Sequence, residues 1–233
     1  MMEVLKQRIG SARLVLGLAV LLGAGRARAQ VVSGSQFSTT AEQAWTATAA
    51  RTVGGGASVA QAEAGWPGIS LAYLHGLDEV TDAGLRATFN YGFEGTTGSA
   101  TGLILQVPVR RYLGGSDTFN YGVHVDPGLA IYGNRGSTLF GATLPVGVVL
   151  GFLVTPQLTL EGTADFPILI SFVNPLGVLF GPELGAGAEY KVDRNLAVSV
   201  RARIGPAFAL SNGYGSTTST AFQTLVGVAY NLR

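Results

Sequence analysis

Along residues 84–94 the side chains change character at every step. Leu85, Ala87, Phe89, Tyr91 and Phe93 fall on one face, and Arg86, Thr88, Asn90, Gly92 and Glu94 on the other. Successive side chains of a β-strand point to opposite sides of its sheet. This period therefore predicts a strand with one apolar and aromatic face and one polar face. The same sorting recurs down the chain and predicts ten strands, over 57–64, 67–75, 84–94, 102–112, 118–132, 139–154, 157–172, 177–192, 195–210 and 219–232. On 157–172, for example, Leu158, Leu160, Ala164, Phe166, Ile168, Ile170 and Phe172 share the apolar side. No segment after residue 30 carries a helical period.

Many of these runs extend over 14–16 residues, well beyond the five or six (roughly) of an ordinary soluble strand. Sustained alternation at that length suits strands that tilt across a bilayer. Aromatic residues fall near the ends of the apolar faces, at Phe89, Phe93, Phe140, Phe152, Phe166, Phe172, Phe180, Tyr190, Phe222 and Tyr230. Ten residues rising ~3.3 Å each and tilted by about 45° cover roughly 23 Å, close to the ~25 Å apolar band between two aromatic girdles. The fold class expected is all-β, a closed antiparallel up-and-down transmembrane β-barrel with ten strands favoured and eight as the alternative.

The charges take the opposite face. In this register the polar side holds Arg86, Arg110, Asp126, Glu161, Asp165, Glu183, Glu189, Lys191, Arg201 and Arg203, five acidic and five basic, while Arg111 alone falls on the apolar side, at a strand end. A Lys or Arg facing lipid at the midplane costs about 2–4 kcal/mol, whereas an interior one can be paired or hydrated. The polar face is therefore read as the interior of a small barrel, filled by a charge-balanced network, with Gly122, Gly128, Gly141, Gly147, Gly185 and Gly187 making room for the long side chains.

The N-terminus reads as an export signal. Lys6, Arg8 and Arg13 precede a short apolar run from Leu14 to Gly25, and Ala27-Arg28-Ala29 has the form of a cleavage site. The expected organisation is a signal peptide over 1–29, a lead-in over 30–56 with weak strand potential near Trp45–Val53, and the barrel over 57–233. The whole chain has 15 Lys+Arg and 14 Asp+Glu; removing the signal leaves ten basic and thirteen acidic residues, a net charge of −3 over 204 residues. A nucleic-acid partner has no electrostatic support in that balance. With no cysteine in the chain, thiolate–zinc and cysteine-nucleophile chemistry are excluded. Two histidines, His75 and His124, are far apart in sequence, and no metal or other cofactor is expected.

These features together resemble the small outer-membrane β-barrel proteins of Gram-negative bacteria, of the short-looped type. The resemblance rests on the signal, on Gly185-Ala-Gly-Ala-Glu-Tyr190 followed by Val192-Asp-Arg-Asn195 and a new strand, and on the final strand Phe222–Leu232. It implies a location in the outer membrane, both termini on the periplasmic side, tight periplasmic turns at 155–156 and 193–194, and outside loops at 95–101, 133–138 and 211–218. The partners it implies are outer-membrane lipids and the outer-membrane assembly machinery; no protein partner is named by the sequence. The chain departs from the family in its last residue, Arg233, where an aromatic residue is usual.

These residues admit three functions. The first is a structural or interaction role for a largely filled barrel with no catalysis. The second is a narrow, porin-like pore for small solutes or ions, lined by the charged interior. The third is a lipid A-modifying acyl enzyme, a chemistry known among such barrels, for which His124 and Asp126 are the weak catalytic candidates. A His two residues from a carboxylate on one face can be oriented as a general base, but a nucleophile must lie within its reach.

Overall fold

A computed structural model describes residues 45–92, 101–134, 137–173, 176–211 and 215–232. Its fifteen strands are β1 (Ser58–Trp66), β2 (Gly68–Gly76), β3 (Thr81–Asn90), β4 (Thr101–Gln106), β5 (Val109–Gly115), β6 (Phe119–Val125), β7 (Gly128–Asn134), β8 (Ser137–Thr143), β9 (Val146–Leu153), β10 (Leu158–Phe166), β11 (Ile168–Ser171), β12 (Gly177–Phe180), β13 (Glu183–Lys191), β14 (Leu196–Ser211) and β15 (Gly215–Asn231).

Fifteen strands stand where ten were expected because five of the expected strands are each broken at a proline. Pro108 separates β4 from β5, Pro127 β6 from β7, Pro145 β8 from β9, Pro167 β10 from β11, and Pro182 β12 from β13. Proline has no N–H to give to a ladder, so it ends regular pairing locally. The breaks lie side by side in the register. Gln106 pairs with Gly128, Gly128 with Thr143, and Leu169 with Thr143, so the prolines form one seam across neighbouring strands. Residues just before or beside the prolines carry hydrogen bonds across it: Val107 N–H to Pro127 O at 2.8 Å, Asp126 N–H to Pro145 O at 2.9 Å and Leu144 N–H to Ile168 O at 2.8 Å. The direction of each strand is thus kept through its break.

Every strand pairing is antiparallel, and the succession of partners returns to its start. It runs from β1 through β2 and β3 to β4 and β5, on through the broken pairs to β14 and β15, and β15 pairs back onto β1 from Val59↔Asn231 to Trp66↔Thr224. Short turns join β2 to β3, β5 to β6, β9 to β10 and β13 to β14, all at one end, the turn end. Each is closed by a short polar side chain acting on the backbone, as turn chemistry requires. Asp193 Oδ1 accepts from the N–H groups of Asn195 (2.7 Å) and Leu196 (2.8 Å), and Thr155 Oγ1 from Leu158 N–H (3.0 Å). These are the turns expected around 193–194 and 155–156. At the other end, Phe93, Glu94 and most of the loop 95–101 lie outside the described residues, while strand structure runs into the other two expected loops, 133–138 and 211–218: β7 reaches Asn134, β8 starts at Ser137, β14 reaches Ser211 and β15 starts at Gly215.

The two faces are sorted as the alternation expected. The outer face exposes Leu71, Leu85, Val200, Leu184 and Val226, the last two at 69% and 63%. Phe89, Phe140, Phe152, Phe166, Phe172, Tyr190, Phe222 and Tyr230 are also exposed. Phe180 differs: it is half-buried, packed between Phe166 and Phe208 at 6.0 and 5.7 Å between ring centroids, and it borders the interior space. Large fully buried side chains on the inner face are few, and Leu74 and Val59 stand at the turn end.

Candidate binding chamber

The segment expected only as a lead-in is part of the interior. Residues 45–50 are all buried, Trp45 to 2% exposure, and Val53 to 0%. The inner face supplies polar groups to its backbone. Glu189 Oε2 on β13 accepts from the N–H groups of Ala47 and Thr48 and from Thr48 Oγ1, each at 2.9 Å. Arg110 on β5 donates to the carbonyls of Ala47 (2.6 Å) and Thr46 (3.1 Å). Asp82 on β3 accepts from Val53 N–H at 3.0 Å. Trp45 donates its indole N–H to Arg194 O at 3.0 Å, and Lys191 Nζ stands 5.4 Å over its ring. A small apolar cluster of Trp45, Ala47, Val53, Val59, Leu74, Ala197 and Ala229 seals the contact with β1, β2, β14 and β15. The segment therefore forms a plug across the turn end. It leaves the interior through Gly54-Gly55-Gly56, where Gly54 and Gly56 have φ of 89° and 74°. Side-chain-bearing residues rarely adopt that conformation, so these glycines make a tight turn into β1.

Above the plug lies a network of ion pairs contributed by strands far apart in sequence. Arg201 Nη2 on β14 bonds Glu63 Oε2 on β1 at 2.7 Å. Arg203 Nε pairs with Glu183 Oε2 at 2.9 Å. Arg110 grips Asp82 through Nε to Oδ1 (2.9 Å) and Nη2 to Oδ2 (2.7 Å). Arg86 Nη1 lies 3.4 Å from Asp126 Oδ2. His124 stands between two carboxylates, with Nε2 2.7 Å from Asp165 Oδ1 and Nδ1 3.5 Å from Asp126 Oδ2. Glycines opposite give these side chains space; a Cβ at Gly147 would stand 2.5 Å from His124 Nε2.

All ten charged residues expected on the polar face are buried or half-buried on the inner face. Two carboxylates were missed. Asp82 lies just before the expected start of its strand at 84, and Glu63 alternates with alanines that carry little apolar signal. Including them, the inner face holds seven acidic groups against five basic ones plus His124, so the five-to-five balance is corrected to an acidic excess. The plug was missed because Thr46–Ala50 has the small, featureless composition of a linker.

The interior is not largely filled, contrary to expectation. Between the ion pairs and the loop end lies a cavity of ≈ 190 Å³. Its floor is Ala47 and Thr48 of the plug with Glu63, Arg86, Glu161, Asp165 and Arg201, and its upper wall is mixed, with Ile104, Ile168, Leu169, Leu179, Ala207 and Ala221 beside Thr88, Asn90, Gln106 and Thr143. The arginines are the more open members of the ion pairs, Arg201 at 27% against 1% for Glu63 and Arg203 at 21% against 3% for Glu183. Among the described residues, no hydroxyl bonds either ring nitrogen of His124. Thr163 Oγ1 instead donates to Asp165 Oδ2 at 2.9 Å, on the far side of the carboxylate. The arrangement needed for a hydroxyl nucleophile activated by His124 is therefore not formed.

No family model matches the sequence, and no curated protein does. Among the similar solved structures are two outer membrane proteins. One is the outer membrane protease OmpT from Escherichia coli, at 9% identity and a TM-score of 0.34, with 76% of this chain and 93% of that chain covered. The other is OmpT, an outer membrane protein of Vibrio cholerae, at 15% identity and a TM-score of 0.35, with 75% of this chain and 61% of that chain covered. The first of these is a protease by name, which conflicts with the expectation of a structural role without catalysis and with the answer that the chain is no enzyme. Both expectations are withdrawn. A likeness at this level transfers no protease activity to this chain.

Proposed function

We propose that this chain is an outer-membrane β-barrel of ten staves whose interior is a one-ended chamber, and that the chamber takes up an amphiphilic small molecule from the loop end. Each stave is an unbroken strand or a proline-divided pair, which gives the even number that places both termini on the periplasmic side. The exposed outer face supports the membrane setting. From Phe222 to Tyr230 on β15 the outward positions are apolar except for Thr224, and eight steps of ~3.3 Å at about 45° span roughly 19 Å between the two aromatics. An apolar surface encircling a monomer would aggregate in water, while lipid accepts it. Charges on the described outer surface sit in the turns, at Asp78, Glu79, Asp117, Asp193 and Arg194, or beside them, at Arg111. The export signal over 1–29 and its cleavage belong to the same reading.

The observation that carries the chamber is the pairing of the plug with the divided interior. Polar side chains at the floor fix the position of a ligand's polar end, and apolar side chains above hold its body, the usual composition of a small-molecule site. A continuous pore is disfavoured by Trp45–Val53 lying across the turn end. The test is direct. Heat-modifiable mobility in an outer-membrane fraction, together with enhanced fluorescence of the apolar dye N-phenylnaphthylamine on the refolded protein, is expected, with the fluorescence lost when Ala207→Trp fills the wall. Equal fluorescence with and without that substitution would remove the chamber from the reading.

A second reading makes the held molecule a substrate. It is favoured by one observation, the 2.7 Å contact of His124 with Asp165 at the chamber floor, an acid–base pair able to hold and polarise a water. Turnover of ester or peptide probes by the refolded protein, abolished by His124→Ala, is what that reading requires.

A further inference from the structure

Glu161 on β10 differs from the other carboxylates of the interior. It is 5% exposed, and among the described residues no ion pair to it is formed, whereas Glu63, Asp82, Asp126, Asp165 and Glu183 each face an arginine or His124 and Glu189 accepts three hydrogen bonds from the plug. Its Oε2 has no hydrogen-bond partner, and the residue lines the cavity. The Thr48 hydroxyl beside it is already donated to Glu189. The charges that act on Glu161 are those of Arg201, Glu189 and Glu63, and Arg201 is engaged by Glu63. The surroundings are therefore anionic by two charges, counting three carboxylates against one guanidinium. A buried carboxylate oxygen with no partner is costly, and its usual explanation is a group that binds there.

We propose that Glu161 is the anchor for an organic ammonium group, and that the molecule held in the chamber is an amphiphilic amine with its cation on Glu161 Oε2 and its apolar body extending toward Leu169, Leu179, Ala207 and Ala221. The proposal rests on the chamber reading above and adds the ligand's class. Among the described residues no three His, Cys, Asp or Glu side chains are grouped to hold a metal ion, so a cation that brings its own apolar body fits the site better than a bare ion. A primary ammonium offers three donors; Glu161 itself fits there because residue 187, opposite it in the register, is glycine, where a Cβ would stand 2.8 Å from Glu161 Cγ.

The experiment is calorimetric titration of the refolded mature chain with three probes of one chain length, hexylammonium, hexanol and hexanoate. Hexylammonium is expected to bind at least about tenfold more tightly than hexanol, the worth of a charge-assisted hydrogen bond. Glu161→Gln, with Glu161→Ala as the second variant should the amide fail to refold, is expected to bring the two to equal affinity. Preference for hexanoate, or unchanged hexylammonium binding in the variants, overturns the proposal. If hexanol and hexanoate bind and Ala207→Trp abolishes both, the chamber stands and only the ligand class falls. If no probe binds the wild-type chain, the chamber reading and the proposal fall together.

Discussion

Glu189→Ala tests whether the plug is held by the inner face or merely rests in it. In the intact protein one carboxylate oxygen accepts three hydrogen bonds at 2.9 Å, from Ala47 N–H, Thr48 N–H and Thr48 Oγ1. A hydrogen bond to a charged group contributes about 1.5–3 kcal/mol, and three sharing one acceptor are less than additive. We take a loss of about 3 kcal/mol, which lowers the ratio of seated to released plug by about 150-fold at ~1.4 kcal/mol per tenfold. The Gly54 end stays tethered, because Asp82 still accepts from Val53 N–H and Thr52 Oγ1 still donates to Glu79 O. The release should therefore be confined to Trp45–Thr48. Hydrogen exchange reads it directly: the Ala47 and Thr48 amides should exchange faster by about two decades while Val53 keeps its protection. In a Trp66→Phe background, Trp45 emission should shift to the red as the ring leaves a site where it is 2% exposed. Planar-bilayer recordings should show brief openings absent from the wild type. Unchanged exchange at Ala47 and Thr48, with no openings, would refute the claim that Glu189 holds the plug.

Further outcomes follow from the same geometry. Val226→Arg, midway between Phe222 and Tyr230 and 63% exposed on the outer face, should lower stability in bilayers by about 2–4 kcal/mol; urea unfolding from vesicles checks it, and a change near zero would mean that this face meets water. Asp82→Ala removes both bonds to Arg110 and leaves a buried guanidinium unpaired, at a cost of about 3–5 kcal/mol, read in the same unfolding assay. Gly56→Val forces a β-branched residue to a φ of 74° and should cost about 1–2 kcal/mol, whereas Gly56→Ala strains less and Gly162→Ala, with open space around its Cβ position, should cost far less. Glu161→Gln should raise the unfolding midpoint of the ligand-free protein, since an unpaired buried carboxylate is exchanged for a neutral amide; a lowered midpoint would mean that the carboxylate is already satisfied.

What the sequence determined by itself is local. The two-residue period assigns Leu85, Phe89, Phe166 and Tyr190 to one face and Arg86, Asp165 and Glu189 to the other, because adjacent Cβ atoms of a strand point to opposite sides whatever the strand pairs with. The prolines at 108, 127, 145, 167 and 182 were equally visible, and their effect on the ladder follows from a missing N–H. Their alignment into a seam was not visible, since it depends on register between strands. The tertiary structure alone decided which charges meet. Arg201 and Glu63 are 138 residues apart, and Thr48 and Glu189 are 141 apart; no periodicity carries information over that distance. It also decided the fate of residues 45–53. A narrow interior favours small side chains, so the middle of the plug, Thr46–Ala50, is only Thr and Ala, the composition of a linker. Its role emerges only once the inner face closes around it and supplies Glu189, Arg110 and Asp82 to its backbone.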